Sequence, residues 1–171
     1  MDRTTIYLSL GSNLGNSLEY LLAALLELEK NEVVIDAVSG IYLSEPIGYI
    51  EQPEFFNLVV RAQTILEPFD LLHLCQDIEH KLGRKKSVHW GPREIDIDIL
   101  YYGNREITTK ELTVPHPRIG ERAFVLMPLK EISPSLFEKL DIDMPKQNIC
   151  LKIEQSDVRI MLKKRKPTCD L

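Results

Sequence analysis

The chain has few cysteines and no long apolar run. Its three cysteines, Cys75, Cys150 and Cys169, are widely spaced and form no C-x-x-C pair. An odd number of scattered cysteines argues against a disulfide framework and is typical of a reduced, cytoplasmic protein. No stretch is apolar enough to serve as a signal peptide or as a membrane span. We therefore expect a cytoplasmic protein with no membrane partner.

An excess of positive charge is also lacking. The formal net charge is −5, whereas proteins that bind nucleic acid through their overall field are normally basic. We therefore expect no nucleic-acid partner. With 44% hydrophobic and 27% charged residues, the composition is that of a globular protein. The length predicts a single domain over residues 1–171.

What the chain does contain is an alternating stretch with acidic residues on one side. From position 94 onward, isoleucines at 95, 97 and 99 alternate with Glu94, Asp96 and Asp98. This period of two predicts a half-buried strand with the isoleucines toward the core. Like charges at this spacing repel each other unless a cation lies between them. Asp96 and Asp98 are therefore candidate metal ligands, and such hard oxygen donors favour Mg²⁺, either one ion or a bridged pair.

A basic loop leads directly into this strand. Residues 83–93 contain no acidic side chain but do contain Arg84, Lys85, Lys86, His89 and Arg93. Mg²⁺ held by one or two carboxylates usually completes its shell with substrate phosphates, and arginine binds phosphate through paired hydrogen bonds. Trp90 adds a flat surface for a base or another ring. An isolated D-x-D would indicate an ordinary edge strand; beside this loop it predicts a phosphate-binding metal site.

The predicted elements follow the order strand, helix, strand, strand, helix, strand. Strands are predicted at 5–10, 33–43, 55–64 and 94–101, and helices at 17–30 and 68–82. This is the ferredoxin-like βαββαβ plan of class α+β, an antiparallel sheet with helices packed on it. A further helix predicted at 121–130 would cover the other face of the sheet. Beyond Pro134 the pattern weakens.

Residues 89–100 resemble a known family signature. Their sequence, H-W-G-P-R-E-I-D-I-D-I-L, resembles that of hydroxymethyldihydropterin pyrophosphokinases, transferases of folate biosynthesis. The resemblance covers about residues 6–134 and leaves 135–171 as a C-terminal extension without an assigned role. It implies transfer of the β,γ-diphosphate of ATP to the hydroxymethyl group of 6-hydroxymethyl-7,8-dihydropterin, giving AMP. It also implies two Mg²⁺ ions and small-molecule partners, and it leaves association with other folate enzymes open.

The same resemblance assigns roles to individual residues. For the pterin it implies Gly11, Ser12, Asn13, Ser44, Pro46, Ile47, Phe55, Asn57 and Phe124. For the nucleotide it implies Gln76, Glu79, Arg84, Trp90, Arg93, His116 and Arg122. Arg84 and Arg93 would act on the phosphates, next to the catalytic metal ligands Asp96 and Asp98. We expect Gln76 and Glu79 on the solvent-facing side of their helix, and Asn57 to offer one donor and one acceptor to a flat heterocycle.

Two other classes of function fit part of the pattern. A nucleotidyl transferase of the polymerase palm type also uses paired strand carboxylates on a ferredoxin-like sheet, but it would attack the α-phosphorus and needs a broad basic groove. A non-catalytic nucleotide- or pterin-binding module would have no need for both aspartates and both arginines. The nucleotide formed from ATP distinguishes the three interpretations.

Overall fold

The computed structural model describes residues 2–48, 51–85, 91–146 and 150–153, which form eight strands and four helices. The strands are β1 (Thr4–Ser12), β2 (Val33–Val38), β3 (Tyr42–Ser44), β4 (Phe55–Thr64), β5 (Asp96–Tyr102), β6 (Ile107–Thr108), β7 (Thr113–Val114) and β8 (Cys150–Lys152). The helices are α1 (Ser17–Lys30), α2 (Pro68–Lys81), α3 (Ala123–Ile132) and α4 (Pro134–Lys139), with a 3-10 turn at Ile119–Glu121.

Six strands form one antiparallel sheet. Its order is β5-β1-β4-β3-β8, and β2 also pairs with β4, end to end with β3. Strands β1, β2/β3, β4 and β5, with α1 and α2 between them, follow the βαββαβ order. The predicted ferredoxin-like α+β class is confirmed. Strands β6 and β7 form a separate two-stranded ribbon.

Each face of the sheet has its own apolar cluster. On one face α1 and α2 cover Leu8, Leu10 and three isoleucines: Ile95, which precedes β5 and is fully buried, and Ile97 and Ile99 of β5, which are nearly so. On the other face α3 packs through Val125, Leu126 and Leu129 against Val59 and Leu100. The predicted inward orientation of the isoleucines is therefore confirmed, and so is a helix on the second face.

Local signals account for the helix ends. Asn16 accepts a hydrogen bond from the Glu19 N–H and caps α1, as expected for a short polar side chain at this position. Pro68 opens α2, where its missing N–H costs nothing, and Gly83 follows the helix with φ of +94°. Within the described ranges, no helix combines the length and apolar character needed to cross a bilayer.

The single strand predicted at 33–43 is wrong. The chain leaves β2 after Val38 and enters β3 at Tyr42. In the interval, the Ser39 hydroxyl donates to the Gly40 carbonyl and accepts from the Val59 N–H of β4. A side-chain hydroxyl thus replaces a regular ladder bond and divides the strand. Two further differences are that β5 begins at Asp96 rather than Glu94, and that β8 was not predicted.

We expect Leu126→Ala to destabilise the protein by about 2–5 kcal/mol, because Leu126 is fully buried between α3 and the sheet. Urea unfolding would measure the loss. Leu14→Ala is the control: Leu14 is 39% exposed, and its loss should stay within about 0.5 kcal/mol. Similar losses for both variants would contradict the packing of α3 described above.

Candidate active site

A cavity of about 490 Å³ opens on the sheet face that carries α3. Ten of the residues singled out in the sequence line it: Gly11, Ser44, Ile47, Phe55, Asn57, Arg93, Asp96, Asp98, Arg122 and Phe124. They come from β1, β3, β4, β5 and α3 and from the segments before β4, β5 and α3. Segments that are distant along the chain therefore meet at one site.

The sheet register sets the dimensions of the cavity. Gly11 of β1 is paired with Asn57 of β4 on one side and with Asp96 of β5 on the other. Since neighbouring strands are about 4.8 Å apart, Asn57 and Asp96 lie about 10 Å apart across β1. Phe55 and Asn57 of β4, with Ser44 of β3, form one side of the cavity, here called the ring-and-amide wall. Asp96 and Asp98 of β5 form the opposite side, here called the acidic wall.

Gly11 forms the floor between these walls. A Cβ atom at position 11 would lie 3.1 Å from the Asn57 Oδ1 and 3.8 Å from the Phe55 ring. Any larger residue would press on the Asn57 amide and occupy cavity space. Glycine at this place therefore keeps the floor of the cavity open.

Asn57 is held in one orientation by its neighbours. Its Nδ2 donates to the Tyr42 carbonyl at 3.2 Å, the Ser44 Oγ at 2.9 Å and the Phe55 carbonyl at 3.1 Å. Two carbonyl acceptors around one end of the amide identify that end as nitrogen. The Oδ1 then lies beside Gly11, on the cavity floor. The Asn57 Nδ2 is engaged within the protein in this structure, and the pairing of Asn57 with a heterocycle through one donor and one acceptor stays a prediction.

The two aspartates of β5 are surrounded by cations. Arg84 and Arg93 each place an Nη1 2.8 Å from an Asp96 oxygen. Arg122 donates to the Asp98 Oδ2 at 3.0 Å. Burial and the nearby Asp96 carboxylate raise the pKa of Asp98, and Arg122 and His116 oppose that rise. The acidic wall is thus partly neutralised by side chains that can also bind anions.

His116 lies at the edge of this charge cluster. Its Nδ1 accepts the Arg118 N–H at 3.1 Å, so the proton of the neutral ring is on Nε2, which faces the Asp98 Oδ2 at 3.9 Å. Burial lowers the pKa of His116, and Asp98 only partly offsets this. The neutral ring therefore already directs its Nε2–H toward Asp98 at the cavity. Donation from this atom does not require a raised pKa or a charged imidazole.

Glu79 is buried, so its expected place on the solvent-facing side of α2 is wrong. Its Oε1 accepts the Ile97 N–H of β5 at 2.6 Å, and its Oε2 pairs with Arg84. Burial and the Asp96 carboxylate raise the pKa of Glu79 to about 7, against the lowering effect of Ile97 and Arg84. Gln76, one turn earlier, is exposed as expected and does not line the cavity.

Ser12 and Asn13 do not line the cavity, contrary to expectation. Ser12 is fully buried and donates to the Ser17 Oγ at 3.0 Å. The Asn13 N–H donates to the Arg93 carbonyl at 3.1 Å, and the Asn13 Oδ1 accepts the Arg93 N–H at 2.9 Å. Its Nδ2 donates to Gln52 and to the Pro53 carbonyl, both at 2.9 Å. Asn13 therefore joins three loops behind the cavity wall.

Some predicted residues lie elsewhere and some cavity residues were missed. Pro46 is half-buried beside Ile47 without lining the cavity, and Trp90 lies outside the described residues. The additional lining residues are Ser9, Glu45, Arg118 and Glu121. Ser9 had a signal, since it faces the same side of β1 as Gly11. The other three are charged residues that the sequence patterns assigned no role in the site.

Asp96 and Asp98 suit a hard divalent cation. Among the described residues, no group of three or more His, Cys, Asp or Glu side chains forms a metal cage. A closed zinc-type site is therefore not built from the described part of the chain. Two half-buried carboxylates on one strand, open to a cavity lined by arginines, fit Mg²⁺ that takes its remaining ligands from phosphates and water.

Comparison with known proteins agrees with this geometry. The family model described as 7,8-dihydro-6-hydroxymethylpterin-pyrophosphokinase (HPPK) matches residues 7–134. The chain belongs to this family. The match ends at the first residue of α4, so the rest of α4 and all of β8 lie beyond it.

Three relatives illustrate the similarity. The Bacillus subtilis 2-amino-4-hydroxy-6-hydroxymethyldihydropteridine pyrophosphokinase is 48% identical over 127 residues, which cover 74% of this chain and 76% of that protein. The Pneumocystis carinii folic acid synthesis protein is 43% identical over 136 residues, 80% of this chain but 18% of that protein. A mutant HPPK-DHPS structure from Plasmodium falciparum has a TM-score of 0.64 and 17% identity over 85% of this chain and 44% of that one, which supports the fold alone.

We expect Asn13→Ala to lower the free energy of unfolding by about 1–3 kcal/mol, because Asn13 is buried and the substitution removes its part-buried hydrogen bonds to the Arg93 N–H and the Pro53 carbonyl. Urea unfolding would measure this, with Asn104→Ala as control, since Asn104 is exposed on the turn after β5. An unchanged unfolding midpoint for Asn13→Ala would show that Asn13 does not hold the three loops together.

Proposed function

We propose that this chain transfers the β,γ-diphosphate of ATP to the hydroxymethyl group of 6-hydroxymethyl-7,8-dihydropterin, giving AMP and the pterin diphosphate, in folate biosynthesis. The observation that carries this proposal is the joining of two walls in one cavity. One wall has the rings and the amide, and the other has paired carboxylates flanked by arginines. The family match and the name of the Bacillus subtilis relative support the same reaction.

The ring-and-amide wall is the proposed pterin subsite. Phe55 and Phe124 provide ring faces for the flat heterocycle, and Ile47 closes the apolar edge. Asn57 presents its Oδ1 as an acceptor for a ring N–H or amino group of the pterin. The Ser44 hydroxyl holds the Asn57 amide, and Asn13 holds Gln52 and Pro53 through its side-chain amide. Gly11 leaves the floor open for the ring.

The acidic wall, on β5, is the proposed phosphate subsite. Arg84, Arg93 and Arg122 are already within hydrogen-bond distance of carboxylates there, and Arg118 adds a further guanidinium at the cavity. We propose that phosphate oxygens take over these donors when the nucleotide binds, and that the His116 Nε2–H joins them. The separation of about 10 Å between Asn57 and Asp96 leaves room for the hydroxymethyl group to face the β-phosphorus.

Asp96 and Asp98 are the proposed Mg²⁺ ligands. Two bound Mg²⁺ would supply neutralisation of the phosphate charge that otherwise opposes in-line attack. The arginines would stabilise the charge that develops on the transferred group. Glu79 would position Arg84. Its carboxylate binds both the Arg84 guanidinium and the Ile97 N–H of β5, and so ties Arg84 to this strand.

Other aspects stay predictions. Gln76 and Trp90 are proposed nucleotide contacts on the resemblance alone. A single domain, a cytoplasmic location and the absence of nucleic-acid partners are supported by composition and charge. We also propose association with other folate enzymes, because the matched region fills only a minor part of two relatives, 18% and 44% of their length.

With ATP, Mg²⁺ and the pterin, we expect AMP as the nucleotide product, because cleavage between the α- and β-phosphates leaves one phosphate on the nucleoside. Chromatography with α- and γ-labelled ATP should place the α label in AMP and the γ label in the pterin diphosphate. ADP as product, or pyrophosphate release, would contradict the proposal, and the latter would favour a nucleotidyl transferase. Binding of both ligands without turnover would indicate a non-catalytic module.

Asp96→Asn and Asp98→Asn should each lower kcat by a factor on the order of 10² or more, since they remove the anionic oxygen that Mg²⁺ prefers. Both variants should remain folded, which circular dichroism and thermal unfolding would check.

A matched control is Asp36→Asn. Asp36 also lies on a strand and pairs with an arginine, at 2.7 Å from Arg61, but it does not line the cavity. Its variant should turn over like the parent protein. If Asp96→Asn or Asp98→Asn also kept near-parental turnover at saturating Mg²⁺, the metal role of that residue would be wrong.

A further inference from the structure

Strand β8 belongs to the C-terminal region that the family model does not match, yet it forms part of the sheet. It pairs with β3 in the register Tyr42 with Lys152 and Ser44 with Cys150. The Ile153 N–H donates to the Ile41 carbonyl at 2.8 Å, and the Ile153 side chain packs on the main apolar cluster. The chain therefore returns to the sheet sixteen residues after the family match ends, since the match stops at residue 134 and β8 begins at Cys150.

A carboxylate hub fixes β8 further. Glu131 of α3 pairs with the Lys152 Nζ at 3.1 Å and also accepts the Tyr42 hydroxyl at 2.7 Å and the Gly40 N–H at 3.1 Å. Burial opposes ionisation of Glu131, but these donors outweigh it and lower its pKa. A Cβ at Gly40 would lie 2.6 Å from the Lys152 Cε, so a larger residue there would displace the Lys152 side chain. The end of the Lys152 side chain therefore lies against the residues that lead into β3.

Strand β3 is the link between β8 and the cavity. It has only three residues, with Tyr42 opposite Asn57 and Ser44 opposite Phe55 of β4. The Tyr42 carbonyl and the Ser44 hydroxyl are two of the acceptors that hold the Asn57 amide with its oxygen toward the cavity. So short a strand, paired on one side only, would open easily. Pairing with β8 places β3 inside the sheet.

We propose that β8 is a positioning element for the pterin subsite, which holds β3 so that Tyr42 and Ser44 keep Asn57 in its binding orientation. This inference rests on the proposed function. The nucleotide side should be insensitive to β8, because Asp96, Asp98 and Arg93 lie on or before β5, which two strands, β1 and β4, separate from β3. Loss of β8 pairing should therefore weaken pterin binding selectively.

The main test is Ile153→Pro in the full chain. Proline removes the N–H that bonds to the Ile41 carbonyl and is compatible with an extended backbone before it. The matched control is Ile153→Ala, which keeps the N–H and loses most of the side-chain packing. The dissociation constants of the pterin and of a non-hydrolysable ATP analogue with Mg²⁺ would be measured separately by titration calorimetry.

We expect Ile153→Pro to weaken pterin binding about tenfold and nucleotide binding by less than about twofold. The control, Ile153→Ala, should weaken pterin binding much less than Ile153→Pro does. If Ile153→Pro does not fold, Lys152→Met would be measured in its place. This substitution keeps an unbranched aliphatic side chain but removes the ammonium group that pairs with Glu131, and it should weaken pterin binding about threefold. Leu151→Ala is its control, because Leu151 is 64% exposed on the same strand.

Unchanged pterin affinity in the folded test variant, or an equal loss for both ligands, would overturn the role of β8. That result is distinct from failure of the proposed function itself. If the parent protein bound no pterin, the proposed function would fail first. If the parent protein bound pterin and formed AMP while the variants matched it, only the role of β8 would be wrong.

Discussion

The candidate site is organised around two like charges placed side by side on one strand. Asp96 and Asp98 point to the same side of β5, with Cα atoms about 7 Å apart, in a half-buried setting where their repulsion is weakly screened. Arg84 and Arg93 lie against Asp96, and Arg122 lies against Asp98. These pairings bring the end of α2, the segment before β5 and the segment before α3 to one strand. The need to neutralise two carboxylates thus assembles the site.

Under the proposed function, the same arrangement would prepare the site for a phosphorylated ligand. The arginines would turn from the carboxylates to the phosphates, and the aspartates would then hold Mg²⁺. Strand β1 sets the distance between this wall and the ring-and-amide wall through the pairing of Gly11 with both Asn57 and Asp96. A rigid sheet therefore fixes the separation of the two proposed subsites, which loops alone would leave variable.

Local patterns predicted what local forces determine. The alternation of isoleucines with aspartates placed β5 and its buried side, and Pro68 and Gly83 marked the ends of α2. Features that depend on distant partners were missed. Ser39 ends β2 through a bond to Val59, twenty residues away. Glu79 lies four residues after Cys75, at the edge of the apolar side of α2. Its burial depends on its contacts with Ile97 and Arg84, which the helical period does not show. Most candidate site residues were found because a motif resemblance adds information that period and composition lack.

A crystal structure of the protein with Mg²⁺, a non-hydrolysable ATP analogue and the pterin would test the central claim most directly. We predict Mg²⁺ in contact with both Asp96 and Asp98, at least one of Arg84, Arg93 and Arg122 moved from its carboxylate to a phosphate, and the pterin between Phe55 and Phe124 with a donor on the Asn57 Oδ1. Arginines that all remain on the aspartates, with the nucleotide bound away from β5, would contradict the account.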